Sequence, residues 1–295
     1  MKKFHVRHLL EINLAMLFIA TSGALGRYVH LPVPVTIGAR AILAFFLLYL
    51  FCKWKRIPLK VKRIDFPIIL LSGFLMCAHW VTYFYALRMS TVAIGMLSLF
   101  TYPVLTAFLE PMILKTKFQR IHLLLAFLVL AGMYFLSPDL DFKNSYTIAI
   151  AFGLLSALCY AIRNILLKQK VSDYNGSMLM VYQTGIVGVV LCPFFFTIVP
   201  KLIIGQWEGL VALAVLTTAI GHTLFLMTFK HFNITTVSII SSVQPVYGIL
   251  IGAVFLSEIP EATTIFGGIL IVSSVVIESI RSKGENSTPD ANLEL

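Results

Sequence analysis

Apolar runs of roughly twenty residues recur from one end to the other of this 295-residue chain. Each is long enough to cross a bilayer as a helix. Of the residues, 59% are hydrophobic and 12% charged, about half the charge of an ordinary soluble domain. The expected fold class is therefore an all-α, polytopic membrane protein. Read against the polar breaks, the chain divides into ten spans, near 9–27, 34–52, 66–87, 91–114, 119–138, 145–167, 177–199, 208–229, 234–256 and 262–281. A polar tail, "SKGENSTPDANLEL", occupies 282–295. The basic start "MKKFHVRH" precedes the first run without a small-residue cleavage site, so that run reads as a first span rather than a signal peptide. Cys52, Cys77, Cys159 and Cys192 lie in or beside apolar runs with no CxxC spacing, and read as small buried hydrophobes.

Charge sets the expected orientation. With the N-terminus in the cytoplasm, the inner loops collect Lys2, Lys3, Arg7, the six basic residues of 53–63, Lys115, Lys117, Arg120, Arg163, Lys168, Lys170, Lys230, Arg281 and Lys283, which is 18 of the 23 Lys and Arg. The outer side receives Arg27, Arg40, Arg88, Lys143 and Lys201. This bias favours cytoplasmic N- and C-termini. It also accounts for the net charge of +10 as loop anchors beside anionic headgroups, not a nucleic-acid surface.

The stretch "FTYPVLTAFLEP" (100–111) places two prolines and an acid inside an apolar run. Sliding the chain by 142 residues superimposes the fourth and fifth spans on the ninth and tenth, and carries Pro103-Val104 onto Pro245-Val246, Leu114 onto Leu256 and Leu128 onto Leu270. Each half (1–142 and 143–281) then holds five spans, and an odd number turns the second half upside down in the membrane. Inverted halves with a midplane site between them are a recurrent transporter plan. Pro103 and Pro245 take equivalent places, where each is either a tolerated kink or a bend that frees carbonyls beside a cavity and works as a gate.

The segments "ALRMSTVAIGMLSLFTYPVLTAF", "GGILIVSSVVI" and "LSEIP" resemble the EamA-type members of the drug/metabolite transporter superfamily. The resemblance implies ten helices in two inverted five-helix repeats. In "ARAILAFFLLYL", Arg40 stands on the basic position of the family's second helix, and Glu258 in "LSEIP" resembles its acidic turn after the ninth. The first half departs from the pattern, since "LKTKF" has Thr116 where that acid would stand.

Polar and aromatic residues share inward faces in several spans. Ser72, Met76, His79 and Tyr83 form one stripe with Trp80 and Phe84 beside it; Ser98, Tyr102, Thr106 and Glu110 form another. Ser156, Tyr160 and Arg163/Asn164 do so in the sixth span, and Thr218, His222 and Phe225 in the eighth; Ser241, Gln244, Tyr247 and Gly248 cluster about Pro245 in the ninth. Unpaired polar groups in lipid cost free energy, so these faces point at neighbouring helices or at a cavity. Small polar residues there are more often helix packing than ligand contacts. The candidate cavity residues are His79, Trp80, Tyr83, Ser98, Tyr102, Tyr160, Asn164, His222, Gln244 and Tyr247. The gating or coupling candidates are Pro103, Pro245, Glu110, Arg163 and Arg40. Glu110, about one turn from its span's end, either snorkels to the interface or pairs with Arg163, or else serves as an acid at the inner mouth.

These readings point to a secondary transporter, which the resemblance places in the bacterial cytoplasmic membrane. The resemblance implies a metabolite carrier, commonly an exporter of amino acids or related compounds. The aromatic lining suits neutral, zwitterionic or partly apolar solutes, while Arg40 keeps an anionic or phosphorylated one in view. The expected partners are a small-molecule substrate and membrane lipids; the oligomeric state stays open. No cofactor is implied, and the histidines lack companion ligands at metal-binding spacing. The sequence has no HExxH, no GxSxG and no paired carboxylates at working spacing, so an enzyme is not expected. A passive channel is the remaining rival.

Overall fold

The structure, a computed structural model, describes residues 2–115, 120–136, 143–228, 241 and 243–285. Thr116, Lys117, Lys230, the first part of the expected ninth span and the tail beyond 285 lie outside the described residues.

Helices account for all the secondary structure among the described residues. In order they are α1 (Lys2–Tyr28), α2 (Val33–Trp54), α3 (Phe66–Met89), α4 (Val92–Leu99), α5 (Tyr102–Leu114), α6 (Ile121–Leu136), α7 (Ser145–Lys168) and α8 (Gly176–Leu191), extended by a 3₁₀ turn over Cys192–Thr197. Then come α9 (Pro200–Ile204), α10 (Trp207–Ala212), a π-helical segment (Leu213–His222), α11 (Thr223–Thr228), α12 (Gln244–Leu256) and α13 (Ala262–Glu285). Six stretches among these residues are long and apolar enough to cross a membrane, at 33–54, 66–89, 92–113, 145–168, 176–197 and 207–228; shorter apolar helices cover 123–136, 244–256 and 262–277. The chain is a multi-pass membrane protein. The first four residues of the expected tail, 282–285, belong to α13.

Local chemistry fixes the ends. Thr91, Asn144 and Asn175 cap α4, α7 and α8 by accepting from Ile94, Tyr146 and Ser177 N–H, which satisfies donors that an N-terminus leaves open. Pro34, Pro67, Pro103 and Pro245 all sit in first turns, where a missing N–H removes no helical bond. Proline's effect in the 92–113 stretch is a break at Phe100–Thr101, just before Pro103. The helices α5 and α12 match under the 142 shift: both are 13 residues long, with proline second and a left-handed residue, Lys115 or Ser257, at the C-terminus.

The 207–228 stretch departs from the α-helix in a way the sequence reading did not anticipate. Ten residues, Leu213–His222, are wound as π-helix, and Thr217 and Thr218 hydroxyls both turn back to Leu213 O. Wider winding absorbs extra residues. The corresponding stretch of the first half, α3, is continuous α-helix. Under the 142-residue shift His79 falls on Gly221, one short of His222.

The principal packing partners are α3 with α7, α2 with α8, α6 with α13, and α1 with both the π segment and α12. Each of these pairs joins a helix from the first half of the chain to one from the second. Small residues permit the closest approaches. A Cβ on Gly153 of α7 would collide with Ser98 Oγ of α4, and one on Gly248 of α12 with Met96 Sδ. Polarity is arranged inside out. Ser72, Thr184, Thr218, Arg40 and Arg163 are buried, whereas Leu50, Phe127 and Val254 are exposed, the distribution that a hydrocarbon solvent demands. Most buried hydroxyls bond to carbonyls three or four residues back, as Ser72 does to Ile69 and Thr184 to Met180, and so bring their own acceptor into the interior.

Candidate functional site

A small cavity lies where α1, α2, α3, the α4–α5 break, α7, the π segment and α12 converge. Ser22, Arg40, His79, Trp80, Tyr83, Tyr102, Tyr160, His222 and Gln244 line it together with Ile19, Leu99 and Phe100. It has about 20 Å³ open to the centre of a water molecule, room for roughly one water. Seven of the ten cavity candidates read from the sequence therefore meet at one point: His79, Trp80, Tyr83, Tyr102, Tyr160, His222 and Gln244.

Ser156 constrains the tautomer of His79. Ser156 Oγ lies 2.7 Å from His79 Nδ1 and 2.9 Å from the His79 carbonyl oxygen. A hydroxyl has one hydrogen. If Ser156 gives it to the carbonyl, Nδ1–H must be the donor to Ser156, and the Nε2 lone pair remains for the cavity. Tyr160 stacks on the imidazole at 4.5 Å, and Tyr102 meets Tyr160 edge-on at 4.9 Å. Tyr102 Oη is 3.2 Å from Ser241 Oγ. Across the cavity, His222 lies 5.5 Å from the Trp80 ring.

Arg40 and Arg163 differ from their reading as loop charges. Both are buried within the helices, at 1% and 0% exposure; removing one from each side of the charge count leaves its bias in place. Arg40 donates from Nε to Thr218 on the π segment at 2.6 Å, and its guanidinium lies 4.2 Å above the Trp80 ring. Arg163 is held by Gln183 of α8, with Nε and Nη2 on Oε1 at 3.1 and 2.7 Å, and by Asn164 Oδ1 at 2.8 Å. It ties α7 to α8 and is not paired with Glu110.

Three cavity candidates sit elsewhere. Ser98 presses on Gly153 and gives its hydroxyl to Ile94 O, so it serves the α4–α7 contact. Asn164 is occupied by Arg163. Tyr247 is half-buried against the apolar core. Pro103 lies beside the helix break, whereas Pro245 borders a lateral apolar groove of about 390 Å³ between α12 and α13.

Ionic contacts close both faces. Where α1 ends, Arg27 Nε lies 2.5 Å from Glu258 Oε1, Glu258 Oε2 accepts from Val92 N–H at the start of α4, and Arg27 also donates to the carbonyls of Leu87 and Ser90. On the opposite face Glu110 pairs with Lys168 at 2.8 Å. Beside it, Asp65 accepts from Lys170 and from Tyr174 Oη, each at 2.6 Å. The bonds from Lys170 and then Tyr174 hold the Asp65 carboxyl below its ordinary value, and Asp65 in turn raises Lys170.

Sequence reasoning missed Ser22, Gln183 and the Asp65–Lys170–Tyr174 cluster. Gln183 had a usable signal, as a lone amide inside an apolar run. The cluster had none, its members being loop residues far apart in the chain.

The EamA-like transporter family model matches the chain twice, over residues 9–137 and 147–280. The chain belongs to the EamA-like transporter family. It is a transporter and not an enzyme. The chain is 26% identical over 257 residues to the pseudopaline exporter CntI of Pseudomonas aeruginosa, covering 86% of this chain and 88% of that protein. It is 28% identical over 198 residues to an uncharacterized transporter of Archaeoglobus fulgidus, covering 66% and 70%. One solved crystal structure superposes with a TM-score of 0.69 at 15% identity, over 96% of this chain and 99% of its own; that likeness concerns the fold alone.

Proposed function

We propose that this protein is a secondary transporter that exports small metabolites, amino acids or related neutral or zwitterionic compounds, across the bacterial cytoplasmic membrane by alternating access. In this reading 1–142 and 143–281 are inverted five-helix repeats, giving ten transmembrane helices, both termini are cytoplasmic, and 282–295 is a polar cytoplasmic tail. The observation that carries it is the composition of the cavity wall: His79, Trp80, Tyr83 and Tyr102 come from the first half, and Tyr160, His222 and Gln244 from the second. A site shared by two halves changes its exposure when one half moves against the other.

The packing pattern supports the inverted repeat. Exchanging the halves turns α3–α7 into the π segment–α1 pair and α4–α7 into α12–α1, and maps α2–α8 and α6–α13 onto themselves; all six are contacts of this structure. The two separate family matches favour the same division. The exporter named among the relatives favours outward transport of a small molecule.

A second reading, a carrier of an anionic or phosphorylated metabolite, is favoured by Arg40 at the cavity. The passive-channel reading fits poorly with a space of about 20 Å³ and clasps at both faces. Counterflow in proteoliposomes tests the proposal: internal unlabelled solute should accelerate uptake of the labelled compound, with saturation. Non-saturable flux without counterflow would leave a channel.

A further inference from the structure

Arg40 holds a charge that no described acid balances. Among the described residues the ion pairs lie at the two faces, at Arg27–Glu258, Lys168–Glu110 and Lys170–Asp65, and none reaches Arg40. Its Nε is used by Thr218, but Nη2 is buried with no hydrogen-bond partner. Three further cavity atoms share this condition, Trp80 Nε1, Tyr83 Oη and His222 Nδ1. Guanidinium and indole N–H groups only donate. Buried donors left unmatched are costly, and a buried cation more so. Arg40 Nη2 and Trp80 Nε1 lack an acceptor, and one bearing negative charge would also balance the Arg40 cation.

We propose that Arg40 Nη2 and Trp80 Nε1 bind a carboxylate of the transported solute, with His222 Nδ1 as a third contact. The inference rests on the reading of this cavity as the translocation site, and it names the chemistry of that site. A carboxylate fits better than a phosphate because the cavity presents one guanidinium with free valence. The second buried arginine, Arg163, spends Nε, Nη1 and Nη2 on Gln183 and Asn164 and does not line the cavity. A phosphoryl dianion would leave charge unmatched among aromatic walls. The guanidinium lies 4.2 Å over the Trp80 ring, and with Nε held by Thr218 its Nη2 is left for an oxyanion. The rest of the solute would lie against Tyr83, Tyr102 and Tyr160 once the cavity opens.

The test uses the full chain purified in detergent and a probe panel: the common L-amino acids, their methyl esters and amides, succinate and glycerol phosphate. Binding is read by thermal shift and calorimetry. An acid should bind at least tenfold more tightly than its own ester or amide. Arg40→Gln should bring that ratio close to one. Trp80→Phe keeps the stacked ring and removes the N–H; it should reduce the ratio roughly threefold to tenfold, and covers the case in which Arg40→Gln does not fold. Equal binding of acid and ester by the unaltered protein overturns the proposal. So does a ratio unchanged in Trp80→Phe and Arg40→Gln, or binding confined to esters, amides or glycerol phosphate. Failure of the transport reading looks different: the acid binds with Arg40-dependent preference but shows no saturable counterflow in proteoliposomes.

Discussion

Lys168 Nζ donates to Glu110 Oε1 across 2.8 Å and joins the end of α7 to α5. Its counterpart at the other face joins the end of α1 to the turn after α12, through Arg27 and Glu258. Exchanging the halves interchanges these elements, although the acids occupy unequal positions: Thr116 stands where the first-half acid would, and Glu110 is six residues earlier. Each clasp is partly exposed, so each contributes little to stability, about 0.2–1 kcal/mol. Their effect on access should be larger. With a single reporter cysteine at Ser22 in a cysteine-free background, Glu258→Gln is expected to speed labelling from the α1-end face and Glu110→Gln from the opposite face. Equal acceleration from both sides in either variant would contradict separate clasps.

Asp65 gives a prediction in pH. Its carboxyl titrates below the ordinary 3.8 in the folded chain because Lys170 and Tyr174 donate to it. The stabilisation is therefore complete above the unfolded carboxylate value and is lost as pH falls through the lower folded one. Asp65→Asn should lower Tm near pH 7, and the difference from the unaltered protein should shrink as pH drops below about 4. A Tm gap that stays constant down to pH 3 would mean that Asp65 acts through something other than its charge.

Much of this architecture is legible in the sequence because lipid imposes so simple a rule. Apolar runs give the helices, and polar stripes give their inward faces, which is how His79, Tyr83, Tyr160 and His222 could be placed together. What a stripe cannot say is whether an inward residue meets a cavity or another helix. Ser98 and Tyr102 share one stripe, yet Ser98 is pressed on Gly153 and Tyr102 lines the cavity. The π winding of 213–222 could not be read from the apolar pattern, which suits an α-helix equally well. Arg163 misled the reading because a charge near a span end looks like a loop anchor until its partner, Gln183, is seen on the facing helix.

The Ser98–Gly153 contact predicts a stability effect. Substituting Gly153 by Ala places a methyl group where Ser98 now sits, so α4 and α7 must separate. A loss of about 1–3 kcal/mol is expected, seen as a lower Tm in detergent. Ser98→Gly in the same chain should recover part of it. If Gly153→Ala melts like the unaltered protein, the contact is looser than the geometry states.

Pro103 and Pro245 are each second in their helices, so alanine there costs no helical bond. Pro103 follows the break at Phe100–Thr101, and alanine would let α4 continue into α5. Both single substitutions are expected to slow counterflow severalfold, with Tm within a few degrees. Unimpaired flux in both would remove any gating role and leave the prolines as helix starts.

His79 makes the most specific prediction. Its ring is bonded on one side to Ser156 through Nδ1, the donor when the Ser156 hydroxyl goes to the His79 carbonyl, and is covered on one face by Tyr160. A fixed ring keeps Nε2 presented as an acceptor toward the cavity, where a donor group of the solute, such as an ammonium, would complete it. His79→Ala removes that acceptor and is expected to weaken binding by about 0.5–1.5 kcal/mol, up to about tenfold in affinity. Ser156→Ala keeps the imidazole but releases its tautomer and tilt, so it should weaken binding less than His79→Ala. His79→Gln, which offers an amide oxygen as acceptor, should recover part of the loss. Calorimetry on the three variants orders them, and Tm measured alongside separates recognition from folding. If His79→Ala binds as tightly as the unaltered protein, or if all three fail together with collapsed Tm, then the histidine serves α3–α7 packing and the acceptor role is wrong.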